Sequence, residues 1–157
     1  MLVDDELLSL KKTELFVKNQ FPNLKIKVAN NGIEACTLIG SYMPHIIILE
    51  PMMRDIDGIE IVKHLKSDVV YENVKVICLT TLHQDHEKIL EIKGLDVQDF
   101  VHKPFDQKEL SKMIKRHIRE FQKLNTGIIS KEILIEAMSS TSDQDNVSVE
   151  SCINKNT

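Results

Sequence analysis

Two four-residue apolar runs, Ile46-Ile47-Ile48-Leu49 and Val76-Ile77-Cys78-Leu79, contain no polar alternation. A strand with one wet face alternates apolar with polar residues, so these runs read as strands covered on both faces, as in a parallel sheet between helices. That restricts the chain to the α/β class. The strand candidates are residues 2–3, 24–29, 46–49, 74–79 and 99–102, and they alternate with helical stretches at about 6–19, 32–42, 58–66, 84–93 and 106–124. In the last of these, Leu110, Met113, Ile114, Ile118, Phe121 and Leu124 recur at three- and four-residue steps, giving one apolar stripe. Gly94 is placed to end the fourth helix, Pro104 marks the turn into the fifth, and Asp106 is suited to cap it. Five βα units make an open α/β sheet.

At 157 residues the chain has room for one domain. Its longest apolar run is four residues against the ~20 of a membrane-spanning helix, which excludes a membrane protein of that kind. The opening Met1-Leu2-Val3-Asp4-Asp5 is not that of an export signal, and Cys36, Cys78 and Cys152 are too few and too scattered for a disulfide framework or a zinc site. These features predict a cytoplasmic protein. A net charge of -4 argues against nucleic acid as a partner and favours proteins. Asn125-Thr126-Gly127 reads as a helix breaker, residues 128–138 as a short amphipathic helical segment, and 139–157, polar and without aromatics, as a disordered tail.

In an open parallel sheet, function gathers at the carboxyl ends of the strands. The first strand ends in Asp4-Asp5, the third in Glu50, the fourth in Thr80-Thr81 and the fifth in Lys103-Pro104. Three carboxylates, a hydroxyl and an ammonium at one edge are the inventory for holding Mg²⁺ and a phosphoryl group, because Mg²⁺ takes hard oxygen ligands and phosphoryl oxygens take Lys and Thr donors.

These residues stand in five strings: Leu2-Val3-Asp4-Asp5-Glu6, Asn31-Gly32-Ile33-Glu34-Ala35, Met52-Met53 followed by Asp57-Gly58, Thr80-Thr81, and Asp99-Phe100-Val101-His102-Lys103-Pro104-Phe105. In that order and spacing they resemble the response-regulator receiver domain of two-component signalling over residues 1–124. The resemblance implies a flavodoxin-like (βα)5 doubly wound sheet of order 2-1-3-4-5. It also implies Mg²⁺ held by Asp4, Asp5 and the residue at position 50, a phosphoryl contact from the Thr80 hydroxyl, an ammonium at Lys103, and an aromatic switch at Phe100. Partners would be a histidine kinase, a phosphotransfer protein or an output protein, or a second copy, on the face of the fourth helix, fifth strand and fifth helix. Such a domain is not itself an enzyme.

The chain departs from the family at Glu50, where the phosphate-accepting residue is an aspartate, and in the next loop at Pro51 and at Arg54, where proline is common. One extra methylene carries the carboxylate about 1.5 Å further out, whereas reacting groups need placement to about 0.5 Å. The expected form is therefore a degenerate receiver that acts without phosphorylation and binds Mg²⁺ weakly. In it Glu50 reaches Lys103 and Thr80 as a partial phosphoryl mimic, with one charge in place of roughly -1.5 to -2. The alternative is a receiver still phosphorylated by a histidine kinase. A small flavodoxin-like nucleotide-binding enzyme is disfavoured, since no glycine-rich loop follows the first strand.

Structural readings stand beside these. Asp5 is placed to cap the first helix, Glu50 with Lys103 to form a plain ion pair, and Phe100 to be fixed core. His83 and His86 read as solvated residues of a helix start, and the basic residues of the fifth helix, from Lys108 to Lys123, as a solvated face or a docking surface. Only three residues precede Asp4, so either further residues lie upstream or the first strand is short and the sheet weak there.

Overall fold

The computed structural model describes residues 1–97 and 99–142. Five parallel strands, β1 (Leu2–Val3), β2 (Val28–Ala29), β3 (Ile46–Leu49), β4 (Lys75–Thr80) and β5 (Asp99–His102), lie in the order β2-β1-β3-β4-β5. They alternate with helices α1 (Leu7–Gln20), α2 (Gly32–Tyr42), α3 (Gly58–Ser67), α4 (Glu87–Gly94) and α5 (Gln107–Ser142). This is the flavodoxin-like doubly wound sheet that the sequence led us to expect. Residues 1–117 form one unit, which holds the whole sheet. The described part of the second unit, residues 118–142, is helical.

The non-alternating runs behave as their composition requires. Ile47, Ile48 and Leu49 of β3 and Val76–Leu79 of β4 are buried on both faces. Helix starts are fixed by local polar groups: the Asn31 side chain accepts from the Glu34 N–H at 2.8 Å to open α2, and Asp106 accepts from the Lys108 N–H at 2.6 Å at the head of α5. Asp5 does not cap α1. The N-cap is Glu6, with no side-chain capping bond, and Asp4 Oδ1 accepts from the Glu6 N–H at 3.0 Å in the turn that precedes the helix.

Two elements differ from expectation. The second strand was expected over 24–29, yet only Val28 and Ala29 pair. Its one neighbour is β1, itself two residues long, and an edge strand can extend its ladder no further than its neighbour. The fifth helix was expected to stop at Leu124, but Asn125-Thr126-Gly127 does not break it. A single glycine costs a helix only about 1 kcal/mol, which good helix formers on either side outweigh, and Thr126 bonds back to the Gln122 carbonyl at 2.8 Å. Residues 139–142, expected in the disordered tail, are helical, and 143–157 lie outside the described residues.

The short first strand has an electrostatic consequence. The Met1 ammonium donates to the Ile46 carbonyl at 2.7 Å, and burial pulls its pKa down to about 6 from 8.0. Between these values the unfolded chain binds more protons than the folded one, so stability rises with pH across that window. For the chain beginning at Met1 with a free amine, we expect a gain of about 2 kcal/mol from pH 6 to pH 8. Urea denaturation at both pH values, repeated on Nα-acetylated protein, checks it; acetylation should flatten the difference.

Candidate functional site

The parallel register brings the chain's polar strand ends to one edge. Val3 pairs with Leu49 and Thr80 with His102, so Asp4, Glu50, Thr80 and Lys103 fall at neighbouring positions on four strands. Backbone bonds continue the ladder through the site: Glu50 N–H donates to the Val3 carbonyl at 2.9 Å and Lys103 N–H to the Thr80 carbonyl at 2.8 Å. The side chains are therefore held by the sheet itself.

Glu50 is central. Its Oε1 accepts from the Thr80 hydroxyl at 2.9 Å and from the Met52 N–H at 3.0 Å, while Oε2 accepts from Lys103 Nζ at 2.9 Å. Lys103 Nζ also donates to Asp4 Oδ2 at 2.7 Å. Asp4, Glu50 and Thr80 are buried, and the Lys103 side chain is only 11% exposed. Burial lowers the Lys103 pKa, but the hydrogen bonds it donates to the Asp4 and Glu50 carboxylates outweigh this and hold the ammonium above its ordinary value. The extra methylene thus places the carboxylate on the hydroxyl and the ammonium together. The plain ion-pair reading of Glu50 and Lys103 is present as geometry, with Thr80 added.

Asp5 lies apart from this set. Its Oδ2 accepts from Arg54 Nε at 2.8 Å and from the Arg54 backbone N–H at 3.1 Å, and the guanidinium also reaches the Asp5 carbonyl at 3.1 Å. The neighbouring Asp55 turns the other way, accepting from the N–H groups of Gly32 at 2.9 Å and Ile33 at 3.3 Å at the start of α2. The loop from Pro51 to Asp57 is consequently tied to both the β1–α1 turn and α2. These ties give no period or spacing signal, so the sequence offered no way to find them beyond the oddity of Arg54.

Two glycines permit the loop's close approach. A Cβ on Gly58 would stand 2.7 Å from the Pro51 Cα and 2.8 Å from the Glu50 carbonyl oxygen, and one on Gly32 would stand 2.5 Å from the Ile56 Cβ. The Gly58 obstacles are backbone, which cannot swing aside. Gly58→Ala should therefore displace the segment carrying Glu50 and cost about 2 to 3 kcal/mol, the upper part of the range for overpacking. A melting curve checks it, and a loss under 1 kcal/mol would mean the loop gives way easily.

Phe100 is half-buried and packs against the hydrophobic core, with Lys93 Nζ 5.6 Å from its ring centre. His86 does stand at a helix start, its Nδ1 accepting from the Lys88 N–H, and His83 lies beside Asp85. Sequence reasoning missed one buried group altogether: Asp99, at the start of β5, binds both Arg116 and His117 of α5. Burial raises the Asp99 pKa, but the Arg116 and His117 contacts prevail and hold the carboxyl below its usual range. The apolar stripe of α5 omits both positions and could not show that His117 is buried against Asp99 while Arg116, half exposed, reaches the same carboxylate.

The carboxylate oxygens are the right donors for Mg²⁺, the ion receiver domains generally bind at their acidic site. Their arrangement here is not a cation cage. Asp4 and Glu50 converge on Lys103, Asp5 faces Arg54, and no group of three potential ligands comes together among the described residues. The site is neutralised largely from within, by two side-chain cations against three carboxylates.

The comparisons agree with this fold. The model of the response regulator receiver domain matches residues 1–115. The chain is 33% identical over 137 residues to a transcriptional regulatory protein CpxR homolog of Haemophilus influenzae, covering 85% of this chain and 56% of that protein. It is 29% identical over 119 residues to sporulation initiation phosphotransferase F of Bacillus subtilis, covering 75% of this chain and 91% of that one. The chain spans only about half the length of several curated relatives it matches. Among solved structures, the signal receiver domain of a DNA-binding response regulator from Colwellia psychrerythraea superimposes with a TM-score of 0.71 at 29% identity, over 75% of this chain and 95% of that one. No helix of the described residues is long and apolar enough to cross a membrane. With its sheet order, strand-end cluster and relatives in accord, the chain belongs to the response regulator receiver domain family.

Proposed function

We propose that this receiver works as a degenerate, phosphorylation-independent interaction module in two-component signalling, with Glu50 at the acceptor position as a partial phosphoryl mimic. The observation that carries it is the buried Glu50 carboxylate bridging Thr80 and Lys103, each at 2.9 Å. The hydroxyl and ammonium that would receive a phosphoryl group are thereby engaged at rest. Phe100, packed against the core, accords with an inward aromatic switch. Asp4, Asp5 and Glu50 hold Mg²⁺ weakly in this reading, since each already has a cationic or N–H partner.

Partner binding falls to the face of α4, β5 and α5, where Leu90 of α4 is exposed and α5 carries the exposed Lys108, Lys112 and Lys115. The partner is a cytoplasmic protein, namely a histidine kinase, phosphotransfer protein, output protein or second copy, and the domain has no enzymatic activity of its own. Residues 1–124 act as the receiver, with 125–157 as an appended segment. The test is intact mass after incubation with acetyl phosphate and Mg²⁺, together with the amide spectrum before and after. We expect no adduct and an unchanged spectrum, and a stoichiometric adduct on Glu50 would restore the phosphorylated-receiver reading.

A further inference from the structure

We propose that Arg54 is the built-in counter-cation of the acidic pair, so that a divalent cation must displace it to reach Asp5. The argument is local. Arg54 gives Asp5 two separate donors on one carboxylate oxygen, the side-chain Nε at 2.8 Å and the backbone N–H at 3.1 Å, and anchors its far end on the Asp5 carbonyl at 3.1 Å. Three contacts between two residues 49 positions apart fix the carboxylate's direction toward Arg54. The loop is tied at the next residue as well, because Asp55 sits on the amide groups of Gly32 and Ile33. Holding Arg54 in place therefore costs little additional ordering.

The Asp5 side chain is 16% exposed, while that of Arg54 is 86% exposed. Removing the arginine side chain thus uncovers the Asp5 carboxylate and leaves it without its cation. The exposed guanidinium pays little desolvation and can swing into water, so the pairing is reversible and makes Arg54 a competitor rather than a permanent lock. Asp5 is the seat of the competition. The proposal concerns that carboxylate alone and stands whether or not Glu50 accepts a phosphoryl group, so its failure and that of the degenerate reading are separable.

The test uses Mn²⁺ as the probe, titrated by electron paramagnetic resonance at fixed ionic strength into the full chain and its variants, with no phosphodonor. Arg54→Ala removes the guanidinium and keeps the N–H. Arg54→Pro removes both, and Arg54→Lys keeps a charge without the planar fork. Arg54→Ala should tighten Mn²⁺ binding about fivefold, the order set by losing an exposed ion pair. Arg54→Pro should tighten it at least as much, and Arg54→Lys should stay within about twofold of the parent. Adding Asp5→Asn to Arg54→Ala should abolish the gain. As a second readout, Mg²⁺ should raise the melting temperature of Arg54→Ala more than that of the parent, because a ligand stabilises only the state it binds. Should Arg54→Pro fail to fold, Arg54→Ala decides alone. Equal Mn²⁺ affinity in the parent and Arg54→Ala, no binding by either, or a gain that survives Asp5→Asn would overturn the proposal.

Discussion

Lys103→Met should destabilise the domain by about 3 to 5 kcal/mol, the usual cost of removing one partner from a buried ion pair. The side chains of Asp4 and Glu50 are each 7% exposed, and both depend on the one ammonium. Methionine fills a similar volume, so the loss reports charge rather than a cavity. The two carboxylates left behind also repel each other in a region that excludes water. Lys103→Met with Glu50→Gln should recover part of the loss, because it removes one of the two stranded charges, and the double-mutant cycle then gives the coupling between positions 50 and 103. Urea denaturation of the four proteins measures all of this. A Lys103→Met cost below 1 kcal/mol would mean the pocket admits enough water to screen the pair.

Arg54 and Lys103 show why two ion pairs in one site are not equivalent. Lys103 serves two carboxylates at 11% exposure, whereas the Arg54 side chain is 86% exposed. Solvent screens an exposed pair, so Arg54 has little to offer stability and more to offer selection between Asp5's ligands. The same loop therefore carries a structural tie, at Asp55, and an exchangeable one, at Arg54.

The sequence disclosed those parts of this domain that follow from periodicity. The apolar runs of β3 and β4 can satisfy themselves only inside a parallel sheet, and once five such units alternate, the strand ends must share an edge. That reasoning places Asp4, Asp5, Glu50, Thr80 and Lys103 at one edge, since a strand end needs only register to be located. The direction of the Asp5 side chain escaped it. That direction depends on a loop residue 49 positions away, and nothing in the spacing of Arg54 indicates which carboxylate it will meet. Asp99 escaped for a different reason: within Asp99-Phe100-Val101-His102 it reads as one polar residue of a strand, and its burial depends on which face of α5 carries Arg116 and His117. The end of α5 was misread because glycine is a punctuation mark only where nothing else maintains the helix.

Glu50→Asp should make the chain phosphorylatable. Shortening the side chain by one methylene withdraws the carboxylate about 1.5 Å, which takes it beyond direct hydrogen-bond reach of Thr80 and Lys103 from its present 2.9 Å to each. Space then opens between the carboxylate and the two donors, and both donors are freed for the oxygens of a transferring phosphoryl group. With acetyl phosphate, an aspartate oxygen would bond to phosphorus as the phosphorus–acetate bond breaks, giving an acyl phosphate and acetate. Positional errors of ~1 Å cost on the order of 10²-fold in rate, so labelling of Glu50→Asp should exceed that of the parent by at least about that factor, as read by intact mass in the presence of Mg²⁺. Glu50→Gln keeps the length and removes the charge, so it should take no label while shifting the amide resonances of Thr80 and Phe100 if charge biases the switch. Arg54 sets the remaining limit, because it already engages the Asp5 carboxylate. Combining Glu50→Asp with Arg54→Ala should label faster than Glu50→Asp alone, and a Glu50→Asp chain that stays unlabelled in both backgrounds would show that the loop beginning at Pro51, rather than the methylene, closes the site.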